Sequence, residues 1–171
     1  MKKDRGFTLI ETLVYLALFG ILFSGVIVCA YSVLESSARN QTKAMAQAEG
    51  DFLVAKINWT IKNAKEVISP VDAVPNQTLT VRKFDNSYST VKPSGLDCAI
   101  VPCDMLLLEG TDASVLNNSD VKISQMSFIH FNDMSGKLNQ ESVQADFTLR
   151  ANTADGKVFS QTFSTTVYLR K

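Results

Sequence analysis

From Thr12 to Leu34 the chain runs for 23 residues without a charged side chain, TLVYLALFGILFSGVIVCAYSVL. As an α-helix this stretch would be about 35 Å long, at ~1.5 Å rise per residue. The hydrocarbon core of a bilayer is about 30 Å thick, so such a helix crosses it with slight tilt. Gly20 and Gly25 weaken a helix in water but are common in membrane helices. A buried core helix is the competing reading, and the length and N-terminal position of the run favour the membrane.

The flanks give the span a direction. Lys2, Lys3 and Arg5 against Asp4 leave the first five residues at +2, and positive flanks stay in the cytoplasm. The 137 residues after Leu34 are therefore expected on the far side, in an oxidising compartment. At 171 residues the chain accommodates one modest domain plus an appendage. Its 17 basic and 17 acidic residues cancel, so it lacks the basic excess of a nucleic-acid binder. An apolar content of 46% is enough for a core and excludes a disordered chain. One His and three Cys argue against a dedicated Cys/His metal site.

Three processing fates compete for such an N-terminus. Ser24-Gly25-Val26 and Val28-Cys29-Ala30 are poor matches to the small-residue site of signal peptidase. Val28 before Cys29 is a poor match to lipoprotein processing. The third fate is cleavage ahead of the apolar run, which would leave the run in place.

Residues 6–14 read Gly6-Phe7-Thr8-Leu9-Ile10-Glu11-Thr12-Leu13-Val14, after the short basic leader MKKDRG. This resembles the cleavage and methylation signal of type IV prepilins and type II secretion pseudopilins, matching at Gly6, Phe7, Thr8, Leu9 and Glu11. The resemblance covers about 30 residues of this chain. It implies a prepilin peptidase that cuts between Gly6 and Phe7 and N-methylates the new Phe7 terminus. It also implies other pilin or pseudopilin subunits as partners, and an inner-membrane assembly platform driven by a separate cytoplasmic ATPase. The fold it implies is α+β, a pilin-like lollipop whose long helix spans membrane lipid with its first half and packs on an antiparallel sheet with its second.

Glu11 is the only charge between Arg5 and Glu35. An ionisable group entering hydrocarbon costs several kcal/mol and normally has a partner. After cleavage the amine of Phe7 would lie four residues earlier, about 6 Å along the helix and on the same face. Glu11 is expected to neutralise that amine or, as the resemblance implies, a neighbour's, setting register between packed helices. The alternative is an interfacial Glu that only marks the start of the span. Gly6, without a Cβ, suits an extended backbone drawn into a peptidase.

Four regions are expected: a cytoplasmic leader at 1–6, a transmembrane or filament-core helix at 7–34, an amphipathic helical arm at 35–69, and a β-rich extracytoplasmic head at 70–171. Along the arm, Met45, Phe52, Ile57, Ile61, Ala64 and Ile68 recur mostly at helical spacing. Phe52, Trp59 and Ile61 are expected to pack against the sheet. Gly50 is expected to weaken the helix, and Pro70 to end it. Ile57–Ala64 is loosely similar to J-type minor pseudopilins.

Beyond Pro75 the period drops to two. Residues 78–84 and 88–91 read as a hairpin about Asp85-Asn86-Ser87, 105–109 as a short strand, and 121–131 as a strand bulged near Gln125. A loop at 132–136 is followed by a hairpin of 143–151 with 159–169, turning at 153–156. About six strands are expected.

Cys98 and Cys103 enclose Ala-Ile-Val-Pro. On an oxidising side a disulfide is favoured over reduced thiols, and closing so short a loop stabilises it by about 2 kcal/mol in the chain-entropy model. Cys29 reads as a packing residue. Asp97, Asp104, Glu109, Asp112, Asp120, Asp133 and Asp155 form no calcium-loop pattern and read as solvated charge. His130 has no Ser, Cys or Asp at a catalytic spacing, and no Gly-rich phosphate loop occurs, so neither catalysis nor a cofactor is expected. The sequons at Asn40, Asn58, Asn76 and Asn117 carry little weight.

The expected function is therefore that of a pilin-like structural subunit, processed and assembled into a type IV pilus or type II secretion pseudopilus as a minor component. The alternative is an uncleaved, single-pass, membrane-anchored extracytoplasmic binding or sensor domain.

Overall fold

The computed structural model describes residues 8–132, 141–153 and 156–169. The first element is a single long helix, α1 (Leu9–Lys62). Strands β1 (Ala64–Ser69), β2 (Leu79–Lys83), β3 (Tyr88–Pro93), β4 (Met105–Glu109) and β5 (Asp112–Val115) follow, then β6 (Val121–Asn132), β7 (Glu141–Asn152) and β8 (Val158–Tyr168). Every ladder is antiparallel. The first five strands form one sheet in the order β1-β2-β3-β4-β5, and the last three form a second, β6-β7-β8. The fold class is thus α+β, as the sequence indicates. The chain divides into two compact units between Asn40 and Gln41; the second is described here.

In that unit α1 presents a narrow apolar stripe of Ala46, Gly50, Leu53, Ile57 and Ile61, at steps of three or four residues. Leu53, Ile57 and Ile61 are fully buried, in one core with Leu79, Val81, Val91, Met105, Ile123, Phe128, Phe147 and Leu149. Phe52 and Trp59, expected in this core, instead stand about half-exposed. The helix turns 100° per residue, which carries both onto the flank beside the buried stripe. Trp59 covers its ring with the ammonium groups of Lys56 at 4.6 Å and Lys83 at 5.8 Å.

The helical arm also ends earlier than expected. Residues 64–69 are strand, paired with β2 from Ala64↔Lys83 to Ser69↔Thr80. The spacing Ile57, Ile61, Ala64 fits a helix, but Ala64 is buried equally well as the first residue of a strand. β-branched Val67 and Ile68 favour the extended form once β2 offers a ladder. Exposed β5 likewise lay outside the expectation, because Asp112-Ala113-Ser114-Val115 is only four residues long, buries none of them and is held by pairing with β4.

The hairpins formed where turn chemistry is local. Asn86 takes a left-handed φ of 64° between β2 and β3, and the Asp85 carboxylate accepts the Ser87 N–H at 2.9 Å and hydroxyl at 2.6 Å. Those hydrogen bonds hold the Asp85 carboxyl below its ordinary range. Gly156, with φ 76°, sits in the β7–β8 turn. The expected loop at 132–136 lies mostly outside the described residues.

A bulge between Ile123 and Gln125 shifts the β6–β7 register by one residue. It reverses which residues of β6 point their backbone groups outward. Before the bulge, Ile123 exchanges two backbone bonds with Cys103, at 2.8 and 2.9 Å. After it, Phe128 exchanges two with Asn76, His130 accepts from Ala73, and the Asn132 N–H reaches the Asp72 carboxylate at 2.8 Å. The outer edge of β6 is thereby tied to the β1–β2 and β3–β4 connections of the first sheet.

Asn117, a sequon residue in the sequence, is a buried hub. Its side-chain oxygen accepts the Met105 N–H at 2.6 Å, and its amide donates to Asp104, Asn118 and Val121. Asp104 also takes the Lys122 ammonium at 2.6 Å, and these hydrogen bonds, Lys122's above all, hold its carboxyl below the ordinary range.

At Gly50 α1 packs closely against β8 of the second sheet. The edge of the Phe163 ring occupies the space a Gly50 Cβ would need, and that ring stacks on Phe147 with centroids 5.4 Å apart. The glycine serves packing, not helix weakness. Gly50→Leu should therefore lower stability by about 1–3 kcal/mol, the usual cost of overpacking. Thermal denaturation of the full chain checks it, and a midpoint equal to that of the unsubstituted chain would show that Phe163 can move aside freely.

Candidate processing and assembly site

The motif residues lie at the start of α1. Gly6 and Phe7 fall outside the described residues, so the structure begins at Thr8. The Thr8 carbonyl accepts from the N–H groups of Glu11 at 3.1 Å and Thr12 at 3.3 Å, closing the first turn. Thr8 thus stands at the N-cap position, a role its place in the motif does not by itself disclose. Glu11 sits in that first turn, where the positive end of the helix dipole favours a carboxylate.

From Leu9 to Leu34 Glu11 is the only charged residue. No residue in the most apolar 18-residue window of α1 is buried against the rest of the chain. Leu9, Ile10, Leu16, Ile21, Leu22 and Val28 each expose more than two thirds of their surface. Covering a Val, Leu, Ile or Phe side chain is worth about 1.5–3 kcal/mol, so the whole stretch represents tens of kcal/mol that water does not satisfy. Lipid or neighbouring apolar helices are the surroundings that do.

The polar groups along this stretch are arranged for the same surroundings. The Thr12 hydroxyl donates to the Leu9 carbonyl at 2.8 Å and the Ser24 hydroxyl to the Ile21 carbonyl at 2.8 Å. Each hydroxyl is satisfied within the helix itself, as hydrocarbon requires. Cys29 is a free thiol facing outward. Glu35 and Arg39, one turn apart, form an ion pair just beyond the run and mark its end.

The second pair of sequence candidates lies in the other compact unit. A disulfide joins Cys98 and Cys103, with Cα atoms 5.2 Å apart, and closes the connection between β3 and β4. Gly95 permits its close approach, since a Cβ there would stand 2.9 Å from the Cys103 sulfur. His130 is buried at the β6–β7 ladder, with Nε2 3.7 Å from the Glu141 carboxylate. Among the described residues no group of three or more His, Cys, Asp or Glu side chains is placed to hold a metal.

A single Arg in the middle of the run tests the environment of this helix. Leu22→Arg should cost about 3 kcal/mol of insertion free energy and move much of the chain out of the membrane fraction. An unchanged membrane fraction after carbonate washing would show that the head, not this helix, holds the chain there.

No curated protein and no solved structure matches the chain. A family model does match its N-terminal part: residues 1–27 carry the prokaryotic N-terminal methylation motif, the signature of type IV pilins and pseudopilins.

Proposed function

We propose that this chain is a pilin-like structural subunit, cleaved after Gly6, N-methylated on Phe7, and assembled with other pilins or pseudopilins into a filament. The observation that carries the reading is a coincidence of position: the methylation motif of residues 1–27 overlaps a bare apolar stretch, Leu9–Leu34, whose only charge is Glu11. A peptidase signal explains Gly6, Phe7, Thr8, Leu9 and Glu11 but not an uncovered helix. A membrane anchor explains the helix but not the motif. A subunit that waits in lipid and then packs its helix among its neighbours' helices requires both.

The positive leader supports an N-terminus on the cytoplasmic side and a head outside. An oxidising exterior suits the Cys98–Cys103 disulfide. The size of the second unit, residues 41–171, supports a minor role in a filament rather than that of its main repeat. Membrane lipid, the peptidase and a platform with a separate ATPase are the partners of this reading. Catalysis has no part in it.

Glu11 is assigned to register. Its carboxylate, four residues from the mature amine, offers an opposite charge where hydrocarbon makes an unpaired one costly. Pairing with a neighbouring subunit's amine would fix how far adjacent helices are offset.

Mass spectrometry of the chain from cells with an active prepilin peptidase tests the reading. The mature protein should lack MKKDRG and carry one methyl group on Phe7. An intact leader in such cells would assign the chain instead to an uncleaved, anchored binding or sensor domain.

Glu11→Ala should leave cleavage intact and reduce incorporation into filaments severalfold, measured as the ratio of sheared to membrane-bound subunit. Incorporation equal to that of the unsubstituted chain would remove the register role while leaving the processing reading in place.

A further inference from the structure

A helix that packs on a core with one face normally carries its charges on the opposite face. The second unit's part of α1 does not. Its buried stripe is Ala46, Gly50, Leu53, Ile57 and Ile61. At about 100° per residue, the face directly opposite is formed by Gln41, Ala44, Ala48, Phe52, Ala55 and Trp59. All six are exposed, and none is charged. They recur at steps of three or four over about 27 Å of helix, at ~1.5 Å per residue.

The charges of this part of α1 lie to the sides. Lys43 and Glu49 turn toward the sheets: Lys43 stands 6.0 Å from the centre of the Phe159 ring, and Glu49 accepts the Asn118 N–H at 2.9 Å. Asp51 and Lys56 border the uncharged face, one on each side. Asp51 accepts the Gln47 amide at 3.0 Å, which leaves its second oxygen open to another donor. Lys56 covers Trp59 together with Lys83, and Lys83 is itself paired with Glu109. Lys62, the last helical residue, closes the far end.

From Ala48 the steps run four, three, four and three through Phe52, Ala55 and Trp59 to Lys62, the spacing of a two-helix seam. Alanines alternate with aromatic rings along it. A second helix approaches closely at the alanines and interlocks with the rings.

The two bordering charges select what lies on the seam. When two such helices run parallel, the residue just before a seam position faces the residue five further along the other helix. Asp51 then meets the second copy's Lys56, and Lys56 meets the second copy's Asp51, two contacts related by one two-fold axis. The other bordering pairs, Ala44 with Glu49 and Asn58 with Asn63, set no like charges against each other. Run antiparallel, the same helices set Asp51 against Asp51 and Lys56 against Lys56, and both contacts repel. Lys62 meets its counterpart only at the solvated end of the seam. A lipid surface gains little from three alanines, and a partner helix without charges in these places leaves Asp51 and Lys56 unmatched.

We propose that α1 pairs in parallel with α1 of a second copy of this chain, through Ala48, Phe52, Ala55 and Trp59, with Asp51–Lys56 ion pairs on both sides. The parallel sense is also that of two chains inserted into one bilayer with the same topology. The pairing belongs to the subunit held in the membrane, ahead of any filament, and does not depend on cleavage after Gly6 or on the register role of Glu11.

The test uses the full chain in isolated membranes, with Cys29→Ser to remove the free thiol while Cys98 and Cys103 stay joined. Ala55→Cys places two thiols face to face across the seam, so mild oxidation should convert most of the chain to a dimer on a non-reducing gel. Ala113→Cys, on exposed β5, should dimerise about tenfold less, at the level of random encounter. Asp51→Lys and Lys56→Asp each put like charges at both contacts. Each should slow Ala55→Cys dimerisation about tenfold, and the double charge swap should restore it to within about twofold. The effect of either single reversal should shrink with added salt.

Should a reversal fail to fold, Asp51→Asn and Lys56→Gln carry the same test with a reduction of about threefold each. Equal dimerisation from positions 55 and 113 would overturn the proposal, as would single reversals without effect or a double swap that does not restore pairing. An Ala55→Cys adduct with a different polypeptide, in place of a second copy, would overturn it too. An intact leader would remove the processing reading and leave the expected pairing unchanged, so the two fail separately.

Discussion

An apolar helix left bare by its own chain must be covered from outside, and this requirement governs the first compact unit. The stretch from Leu9 to Leu34 turns its side chains outward on every face. None of the residues in its most apolar window is buried. Its hydroxyls at Thr12 and Ser24 have withdrawn into the helix backbone, and its only charge, Glu11, sits at the dipole's positive end. Such a segment is inserted in lipid or packed among similar helices, and the methylation motif of residues 1–27 takes in most of it.

The second unit obeys the opposite rule, with α1 reduced to a stripe wide enough for small residues and aliphatic side chains only. Ala46 and Gly50 let the second sheet approach closely, and the Phe163 ring fills the gap the glycine leaves. Leu53, Ile57 and Ile61 then complete the core. Larger aromatic residues were placed beside the stripe, where Trp59 lies under two lysine ammonium groups and remains half open to water.

Much of this was legible in the sequence, because the deciding signals are local. The charge-free run, the motif at residues 6–11, the Asp85-Asn86-Ser87 turn and the bulge beside Gln125 each declare themselves within a few residues. What was illegible depends on distant partners. Residues 64–69 read as helix because Ala64 satisfies both periods, and only the ladder with β2 decides between them. Gly50 read as a weak point because Phe163 is more than a hundred residues away. Asn117 read only as a sequon of little weight because its four hydrogen-bond partners are brought together by the fold. At the candidate site, Glu11 was found by its isolation, whereas the capping position of Thr8 emerged only with the geometry of the first turn.

The bulge in β6 has a consequence for how this chain tolerates change in length. On its two sides the strand offers outward groups of opposite parity, Ile123 before and Phe128, His130 and Asn132 after. Losing one residue between them would restore a regular ladder, yet it would turn one set of outward groups into the sheet. Either the Cys103 attachment or the Asn76 attachment would then be broken. The β3–β4 connection, by contrast, is gathered at its base by the Cys98–Cys103 bond and can lengthen at its exposed tip. Related chains should therefore vary in length at that tip and hold the count of β6 fixed, so that the irregular residue of the sheet is its least dispensable one.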